Sequence, residues 1–569
     1  MFKSKTSHRH HTFLTLALLL LILTLCIMRF AGIPDQYDVM YAFFDEPELY
    51  TEDFYFKNSH FFTNSFFFII NDFIGLHRNE VVSFFFYLAV TGIAFFYTYK
   101  ILTEHFQVKE PHLVLLILLF ICFLERNIPV NTWGGLIPLQ PGTATMFAKA
   151  MGIVAIYYML EKSIWTSAIL ITMTLSIHVL ADVILIPILF FFILFNNEIA
   201  RKHLLALSLP ITLMLYKKSM LETGGASQED LEIMYEAVMA YTRQDADFLY
   251  QSKTALSAFV ISFLVAPFLW MRLRDPQKNS VSRVALLKSI YLASLCVFVG
   301  ATLYTTVGYR LYLDPSLIGL APVRAMNYYT LFFYLSAFIL IVQSARLSIL
   351  EKVSIMLALV LLHGENLKGL SYPVIVLTIG FVSSKFTSTK LRKFNDTQTL
   401  VIVAMVLAVG LTSLQVVRGG KYRTTFNSES WQHMKKWTLR GRETAETWQA
   451  FSKIRDIPGD FSMLALTRKS DGLLRTSPYM NIYARKSLFV ADGLHFYFRP
   501  DLWREHLNRK QIYEDILFSL DKSHAIQEKT VEALLSRKVK IVAPSDTLSF
   551  FWGWTKKTQV DGYYILKYN

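Results

Sequence analysis

The chain has 569 residues, of which 53% are hydrophobic and only 18% carry a charge. Too few charged side chains are present to coat a soluble globule of this size, so the composition excludes an ordinary soluble protein. The net charge of +14 lies mostly in segments that flank apolar blocks, which favours membrane orientation and anionic lipid headgroups over nucleic acid as its explanation.

The first element is a basic segment followed by an apolar block. Lys3, Lys5 and Arg9 precede the apolar run 13–28, and no small-residue cleavage site is clear after it. A run of this length predicts a retained first membrane span rather than a cleaved signal, and the basic residues predict a cytoplasmic N-terminus.

The next segment, 34–80, is an acidic loop, which the topology places outside. Its front half holds seven carboxylates before the first basic residue, Lys57; they are Asp35, Asp38, Asp45, Glu46, Glu48, Glu52 and Asp53. The segment 61–76 is too short and too interrupted to span, and it predicts a helix that lies in the membrane interface. Two interpretations are open for the loop: a solvated juxtamembrane loop, or the place of a catalytic carboxylate.

Further apolar blocks predict the remaining membrane spans. They lie at 81–102, 112–125, 143–160, 164–178, 179–195, 204–216, 255–272, 287–308, 326–344, 349–363, 371–384 and 399–417. With the first block the count is about thirteen, and the shortness of several blocks leaves eleven or twelve open. Basic residues concentrate in 272–288 and 385–393, which the positive-inside rule assigns to the cytoplasm.

An abrupt change in composition near residue 419 predicts two domains, a transmembrane domain 1–419 and an extracytoplasmic domain 420–569. Helical periodicity marks 428–455 and 527–535, whereas 461–467, 538–543 and 563–568 have the pattern of strands. The C-terminal domain is therefore predicted to be α/β. The expected fold class is an α-helical polytopic membrane protein of about thirteen spans with this domain attached.

The candidate site residues are carboxylates and cations at the outer membrane face, because no nucleotide-binding loop, zinc cluster or serine nucleophile motif is present. Transfer of a sugar from a polyprenyl-phosphate carrier fits these residues, since it needs a base for the acceptor and cations for the leaving phosphate. The candidate bases are Asp45, Glu46 and Asp53. The candidate phosphate-binding residues are Lys217, Lys218, Arg310 and Arg324.

Each candidate also has a structural interpretation: the acidic pair is solvated, the lysines extend to the interface, and Arg324 anchors the end of a span. His178, with Asp182 one turn further, lies between two apolar runs and is a further substrate-binding candidate, because ionisable groups within membranes are commonly functional. A histidine bonded to a backbone carbonyl at a helix turn is the alternative for His178.

The order of these features resembles the GT-C superfamily of membrane glycosyltransferases, and the stretches FFDEPELYTEDFYF, SIHVLAD and LAPVRAMNYY are similar to those of uncharacterised bacterial members. The resemblance implies an acidic residue of the first loop as general base, a lipid-linked sugar as donor and the bacterial cytoplasmic membrane as location. The WWDYG signature of oligosaccharyltransferases is absent, so transfer to asparagine is not expected.

The expected function is therefore transfer of a sugar from a polyprenyl-phosphate donor to an envelope acceptor. Two alternatives stay open: a non-catalytic relative that scaffolds envelope polysaccharide assembly, and a transporter or flippase of lipid-linked intermediates. The expected partners are the donor, membrane lipids and envelope-assembly proteins, without nucleic acid. No metal ligands are predicted, and the need for a divalent metal is left open.

Overall fold

The computed structural model describes about half of the chain. The described residues are 15–23, 54, 66–76, 80–127, 144–178, 182–220, 227–241, 349–361, 462–468, 474–476, 487–489, 500–521, 526–544, 554–560 and 563–568, with short stretches between 295 and 347, at 378 and at 453–454. The predicted helix 428–455 and the predicted spans at 255–272 and 399–417 lie outside this part of the chain, apart from residues 453–454.

The described residues are mostly helical. The α-helices are α1 (Phe66–Ile74), α2 (Glu80–Lys100), α3 (Pro111–Asn127), α4 (Ala144–Leu160), α5 (Ile164–Ile177), α6 (Leu185–Phe195), α7 (Ser208–Met220), α8 (Gln228–Tyr241), α9 (Ile349–Leu361), α10 (Pro500–Asp521) and α11 (Glu528–Ser536). One turn of π-helix, Ile101–His105, extends α2, and a 3₁₀ helix, Arg201–Leu207, precedes α7.

One helix among the described residues is long and apolar enough to cross a membrane. It is Phe84–His105, with 22 residues, and it measures about 33 Å at 1.5 Å per residue, against about 30 Å of hydrocarbon. The shorter apolar helices are Pro111–Ile121, Ala144–Leu160, Ile164–Ile177 and Leu185–Phe195. The count of about thirteen spans stays a prediction.

The chain divides into two compact units. The first comprises 1–30, 84–218 and 242–426, and the second comprises 31–83, 219–241 and 427–569. The acidic loop therefore groups with the C-terminal region rather than with the helices that follow it in sequence. The predicted division of the chain at residue 419 stays a prediction.

Helices α4 and α5 form a close hairpin in the first unit. Lys162 adopts φ +60° in the short connection, and its N–H donates to the Met159 carbonyl over 3.0 Å. Across the pair, the buried Ser167 hydroxyl donates to the Ala155 carbonyl over 3.0 Å. Apolar residues cover the rest of the contact, so the polar connection 161–163 determines where one helix ends and the next begins.

The second unit contains a six-stranded sheet. Its strands are β1 (Ser462–Arg468), β2 (Leu474–Thr476), β3 (Ser487–Leu488), β4 (Val539–Pro544), β5 (Trp554–Val560) and β6 (Tyr563–Tyr568). The order is β2-β1-β4-β6-β5, and β3 pairs with β1. Strands β1, β3 and β4 are parallel, while β2, β5 and β6 pair antiparallel with their neighbours.

Helices α10 and α11 cover this sheet and supply its core. Parallel strands need a crossover connection, and both helices lie in the chain between β1 and β4. The buried cluster joins sheet and helix side chains; it contains Leu464, Leu466, Phe489, Ile512, Tyr513, Ile516, Leu534, Val539, Ile541, Ala543 and Leu566. Strands and helix thus occur where the sequence pattern predicts them, at 461–467, 527–535, 538–543 and 563–568.

Helix α1 lies within the acidic loop and has two different faces. Phe67 and Phe68 are fully buried, whereas Phe66 and Phe73 are exposed. The helix ends at Gly75, whose φ is +70° and whose N–H donates to the Asn71 carbonyl over 2.8 Å. Glycine is suited to this left-handed position because it has no Cβ. The structure gives the helix predicted within 61–76, and its location in a membrane interface stays a prediction.

Candidate functional site

The predicted site residues divide into those that the structure describes and those outside it. Asp45, Glu46, Asp53, Arg310 and Arg324 lie outside the described residues. Lys218 belongs to α7, but its side chain is outside the described part. Lys217 and His178 are described, and the structure brings them to the same place, the C-terminal end of α5.

Helix α5 ends at the histidine predicted from the SIHVLAD stretch. The His178 N–H still donates to the Thr174 carbonyl over 2.8 Å, but its own backbone is extended, with φ −155° and ψ 100°. The next described residue, Asp182, is completely buried, and α6 begins at Leu185. The residues of the two predicted spans thus form two helices, α5 and α6, and the ionisable residues His178 and Asp182 lie between them in the chain.

Lys217 of α7 binds the end of α5. Its Nζ donates to the Leu175 carbonyl over 2.9 Å and to the Ser176 carbonyl over 3.2 Å. The last four carbonyls of a helix have no partner within it, and they carry the negative end of the helix dipole. A partly buried ammonium group is stabilised there by both effects, which explains why Lys217 turns inward instead of extending to water.

Burial lowers the pKa of Lys217 from its ordinary 10.5 to about 8. The ammonium form still predominates at pH 7, so the group remains a cation under neutral conditions. An ammonium group has three N–H donors, and two of them serve the α5 carbonyls. With respect to the described residues, the third donor is available to contact a phosphate oxygen, which is not enough to hold a phosphate group alone.

A second polar cluster joins α2, the π-helical turn and α4. The Tyr157 hydroxyl donates to the Glu104 carboxylate over 2.5 Å and accepts from Lys100 Nζ over 3.3 Å. His105 Nε2 lies 3.1 Å from the Glu161 carboxylate. Single π-helical turns occur frequently at functional sites. The sequence alone does not reveal this cluster, because it joins two segments that are about 50 residues apart in the chain.

Lys149 is a further residue that the sequence analysis missed. It lies in α4 with only 6% of its surface exposed. The sequence contains an indication of a functional role for this residue. Lys149 is a charged residue inside the predicted span 143–160, and intramembrane ionisable residues are commonly functional.

In the second unit, the acidic loop contacts α10 through Phe54, the residue after Asp53. The guanidinium carbon of Arg509 lies 4.4 Å from the centre of the Phe54 ring and 5.5 Å from that of Phe489. Arg509 Nε also donates to Glu505 over 2.7 Å. The aromatic side chain that follows a candidate base is thus held by a cation from far along the chain.

Glu505 is the centre of an ion-pair network. Arg537 follows the last residue of α11 as its C-cap. Its Nε and Nη2 donate to the two carboxylate oxygens of Glu505 over 3.0 Å each, which is a bidentate geometry. Partial burial would raise the pKa of Glu505, but the hydrogen bonds and charges of Arg537 and Arg509 outweigh it and lower that pKa. The carboxylate is therefore ionised and fixes both guanidinium groups.

Helix α8 packs on α10 in the same unit. Arg504 of α10 lies 3.0 Å from Glu229 and 3.1 Å from Asp230. The Ser227 hydroxyl accepts from the Asp230 N–H, and Asp230 accepts from the Ser227 N–H, which forms a capping box. Hydrogen bonds from Ser227 lower the pKa of Asp230, and Arg504 adds to this effect.

Within the described residues, no group of three or more His, Cys, Asp or Glu side chains could hold a metal ion, and the question of a divalent metal stays open.

Comparison with known proteins identifies no relative: no family model, no curated protein and no solved structure matches this chain.

Proposed function

We propose that this chain is a membrane glycosyltransferase of the GT-C type, which transfers a sugar from a polyprenyl-phosphate donor to an envelope acceptor at the outer face of the bacterial cytoplasmic membrane. Its proposed fold has about thirteen spans, a cytoplasmic N-terminus and an extracytoplasmic α/β domain at the C-terminus. The acidic loop supplies the general base.

The observation that carries the proposal is the membership of the second unit. Residues 31–83 group there with 219–241 and 427–569, and Phe54 contacts Arg509. The proposed fold requires the first external loop and the C-terminal region to lie on one side of the membrane. A direct contact between them supports that arrangement, since two segments on opposite sides would be separated by about 30 Å of hydrocarbon.

The proposed reaction needs only the residue types named above. A first-loop carboxylate, Asp45, Glu46 or Asp53, removes the proton from the acceptor group, whose electron pair attacks the anomeric carbon of the donor sugar. The bond from that carbon to the phosphate oxygen breaks, and polyprenyl phosphate leaves with the electron pair. Cations stabilise the charge that develops on the phosphate; the candidates are Lys217, Lys218, Arg310 and Arg324, with His178 near Lys217.

The first test measures binding of decaprenyl phosphate and of decaprenol to the purified full-length protein in nanodiscs. We expect at least about tenfold tighter binding of the phosphate, because a charged headgroup that is held by arginine and lysine gains charge-assisted hydrogen bonds. Arg324→Ala should reduce this preference. Equal affinity for the alcohol and the phosphate would contradict a site for lipid-linked donors.

The second test measures turnover with a panel of polyprenyl-phosphate monosaccharides. Removal of the base, by Asp45→Asn, Glu46→Gln or Asp53→Asn, should lower the rate by about 10²- to 10⁴-fold while donor binding is retained. Glu48→Gln, in the same loop, is the matched control and should leave turnover within about twofold. Donor binding without turnover in the wild type would favour the non-catalytic scaffold, and full activity in all three variants would refute the first-loop base.

A further inference from the structure

We infer that Arg509 is the positioning residue that docks the acidic loop onto the C-terminal sheet and helices, with the Phe54 ring as its partner. The inference rests on the proposed function in one respect only, namely that this loop supplies the base. The docking itself follows from contacts within the second unit.

The guanidinium group of Arg509 contacts two aromatic rings of different origin. The Phe54 ring belongs to the acidic loop and lies 4.4 Å away, while the Phe489 ring lies 5.5 Å away and belongs to the buried core beside β3. A planar guanidinium group stacks on aromatic faces more effectively than an ammonium group does. Arg509 therefore connects the loop to a side chain that is itself completely buried.

Hydrogen bonds fix the plane of that guanidinium group. Its Nε donates to Glu505 over 2.7 Å, and Nη1 reaches the Phe489 carbonyl at 3.4 Å. Arg537 holds the same carboxylate by two bonds of 3.0 Å. Because Glu505 is held from the other side, Arg509 presents its face to the loop in a preset orientation and loses little conformational freedom when Phe54 docks.

In the proposed arrangement, the contact with Arg509 holds the acidic loop in one position, as a catalytic carboxylate requires. Catalytic groups must be held within about 0.5 Å of the productive geometry by neighbours that are themselves fixed. Phe54 immediately follows the candidate base Asp53, so an anchor at Phe54 restricts the backbone of the adjacent Asp53. Arg509 acts through the loop and is not assigned any contact with the substrate.

The test compares hydrogen exchange of the loop in full-length variants. Phe54→Leu removes the ring, Phe54→Tyr keeps it, and Arg509→Lys keeps the charge but removes the planar group. We expect Phe54→Leu and Arg509→Lys to lower the exchange protection of residues 45–60 by about 5- to 30-fold, the value of one partly buried cation–π contact. Phe54→Tyr should retain protection, and the double variant should be no worse than either single one.

Arg504→Gln is the matched control, because Arg504 lies on the same helix but pairs with Glu229 and Asp230. It should lower protection in 228–241 and leave 45–60 unchanged. If Phe54→Leu leaves the hydrogen-exchange protection of residues 45–60 unchanged, the proposed role of Phe54 and Arg509 in docking the loop is refuted. Loss of protection that extends equally to β1 and β4 in Arg509→Lys would also overturn it, since Arg509 would then be a core residue.

Measurement of turnover distinguishes failure of the docking role of Arg509 from failure of the proposed function. A positioning role predicts that Phe54→Leu and Arg509→Lys lower kcat by about 10-fold or more with little change in donor KM, and that Phe54→Tyr restores kcat. Loss of loop protection with wild-type kcat would overturn the positioning role. A wild-type protein without transfer activity would instead refute the proposed function, and the exchange data would still decide whether Arg509 docks the loop.

Discussion

Replacement of Lys217 tests whether its ammonium group serves as the cap of α5. Lys217→Met removes the two bonds to the Leu175 and Ser176 carbonyls but keeps a long apolar side chain. Hydrogen bonds to a charged group contribute about 1.5 kcal/mol each at the lower end of their range, which gives about 3 kcal/mol for the pair. The variant also removes the cost of burying a charge, and this offsets part of the loss.

The size of that offset follows from the pKa. A fall from 10.5 to about 8 corresponds to about 3.5 kcal/mol at about 1.4 kcal/mol per pH unit. Because the ammonium group is only partly buried, screening by solvent reduces this to about 1–2 kcal/mol. We therefore expect Lys217→Met to destabilise the protein by about 1–2 kcal/mol at pH 7.

The direction in which stability changes with pH tests whether Lys217 is the group that titrates. The folded-state pKa lies below the unfolded value, so between about pH 8 and 10.5 the unfolded state binds more protons, and the free energy of unfolding rises with pH. The stability difference between wild type and Lys217→Met should therefore grow by about 1–2 kcal/mol from pH 7.5 to 10.5. Lys217→Arg does not titrate in this range and should show no such growth relative to Lys217→Met.

Thermal unfolding of the full-length protein in detergent, followed at pH 7.5, 9 and 10.5, measures these differences. Comparison between variants cancels the titration of the other lysines and tyrosines. A wild-type advantage that stays constant over this range would show that Lys217 titrates near 10.5 and extends to water. The same increase in Lys217→Arg would show that a group other than Lys217 titrates.

Two further predictions concern topology and the Glu505 network. Reporter fusions at Lys393 and Asn569 should report opposite sides of the membrane, the cytoplasm and the exterior, because basic loops alternate with apolar blocks; a cytoplasmic signal from both would refute the topology. Burial opposes ionisation of Glu505, but Arg537 and Arg509 outweigh it and lower its pKa below 4.5, so its contribution to stability is present above pH 4.5 and is lost as the pH falls through the folded-state value. The stability advantage of wild type over Glu505→Gln should therefore shrink on acidification below that pH in unfolding experiments, and an advantage that grows there would contradict the network.

Much of the helical pattern in the first unit follows from the sequence, and proline positions explain the departures. The predicted spans 143–160 and 164–178 match α4 and α5, because the polar residues 161–163 interrupt one long apolar run. The predicted span 179–195 is observed as the shorter helix Leu185–Phe195. Pro187 lies in its first turn, where the missing N–H costs nothing, so it favours a start near Leu185.

Helix α8 shows a signal that the sequence analysis did not use. Residues 217–253 lie between the predicted spans 204–216 and 255–272, and the structure has a helix there at Gln228–Tyr241. Ser227 and Asp230 have the spacing of a capping box, and acidic residues occupy the first turn, both of which mark a helix start. The alternation of apolar blocks and basic loops identifies loops by polarity, and it therefore does not separate a polar helix from a coil.

The contact between Phe54 and Arg509 could not be predicted from the sequence. Periodicity reports which face of an element is apolar, but it does not report which distant element covers that face. The acidic loop was predicted to share its membrane face with the candidate phosphate-binding residues Lys217, Lys218, Arg310 and Arg324. Among the described residues its observed cationic neighbour is Arg509, in a helix whose charges look like an ordinary solvated surface when the sequence is considered alone.

The observed contacts also limit the number of spans that the proposed fold allows. Charges are costly inside hydrocarbon, so in the proposed fold we expect charged pairs at the membrane faces, and an even number of crossings would then separate the members of each pair. His105 pairs with Glu161 and Lys162 with Glu198, and two predicted spans separate the members of each pair. Arg504 pairs with Glu229, so an even number of crossings would separate residues 229 and 504. Phe54 contacts Arg509, so an even number would also separate residues 54 and 509. In the proposed fold one span precedes Phe54, so these contacts favour an odd total. We therefore propose eleven or thirteen spans rather than twelve, with the C-terminal region on the side opposite the N-terminus.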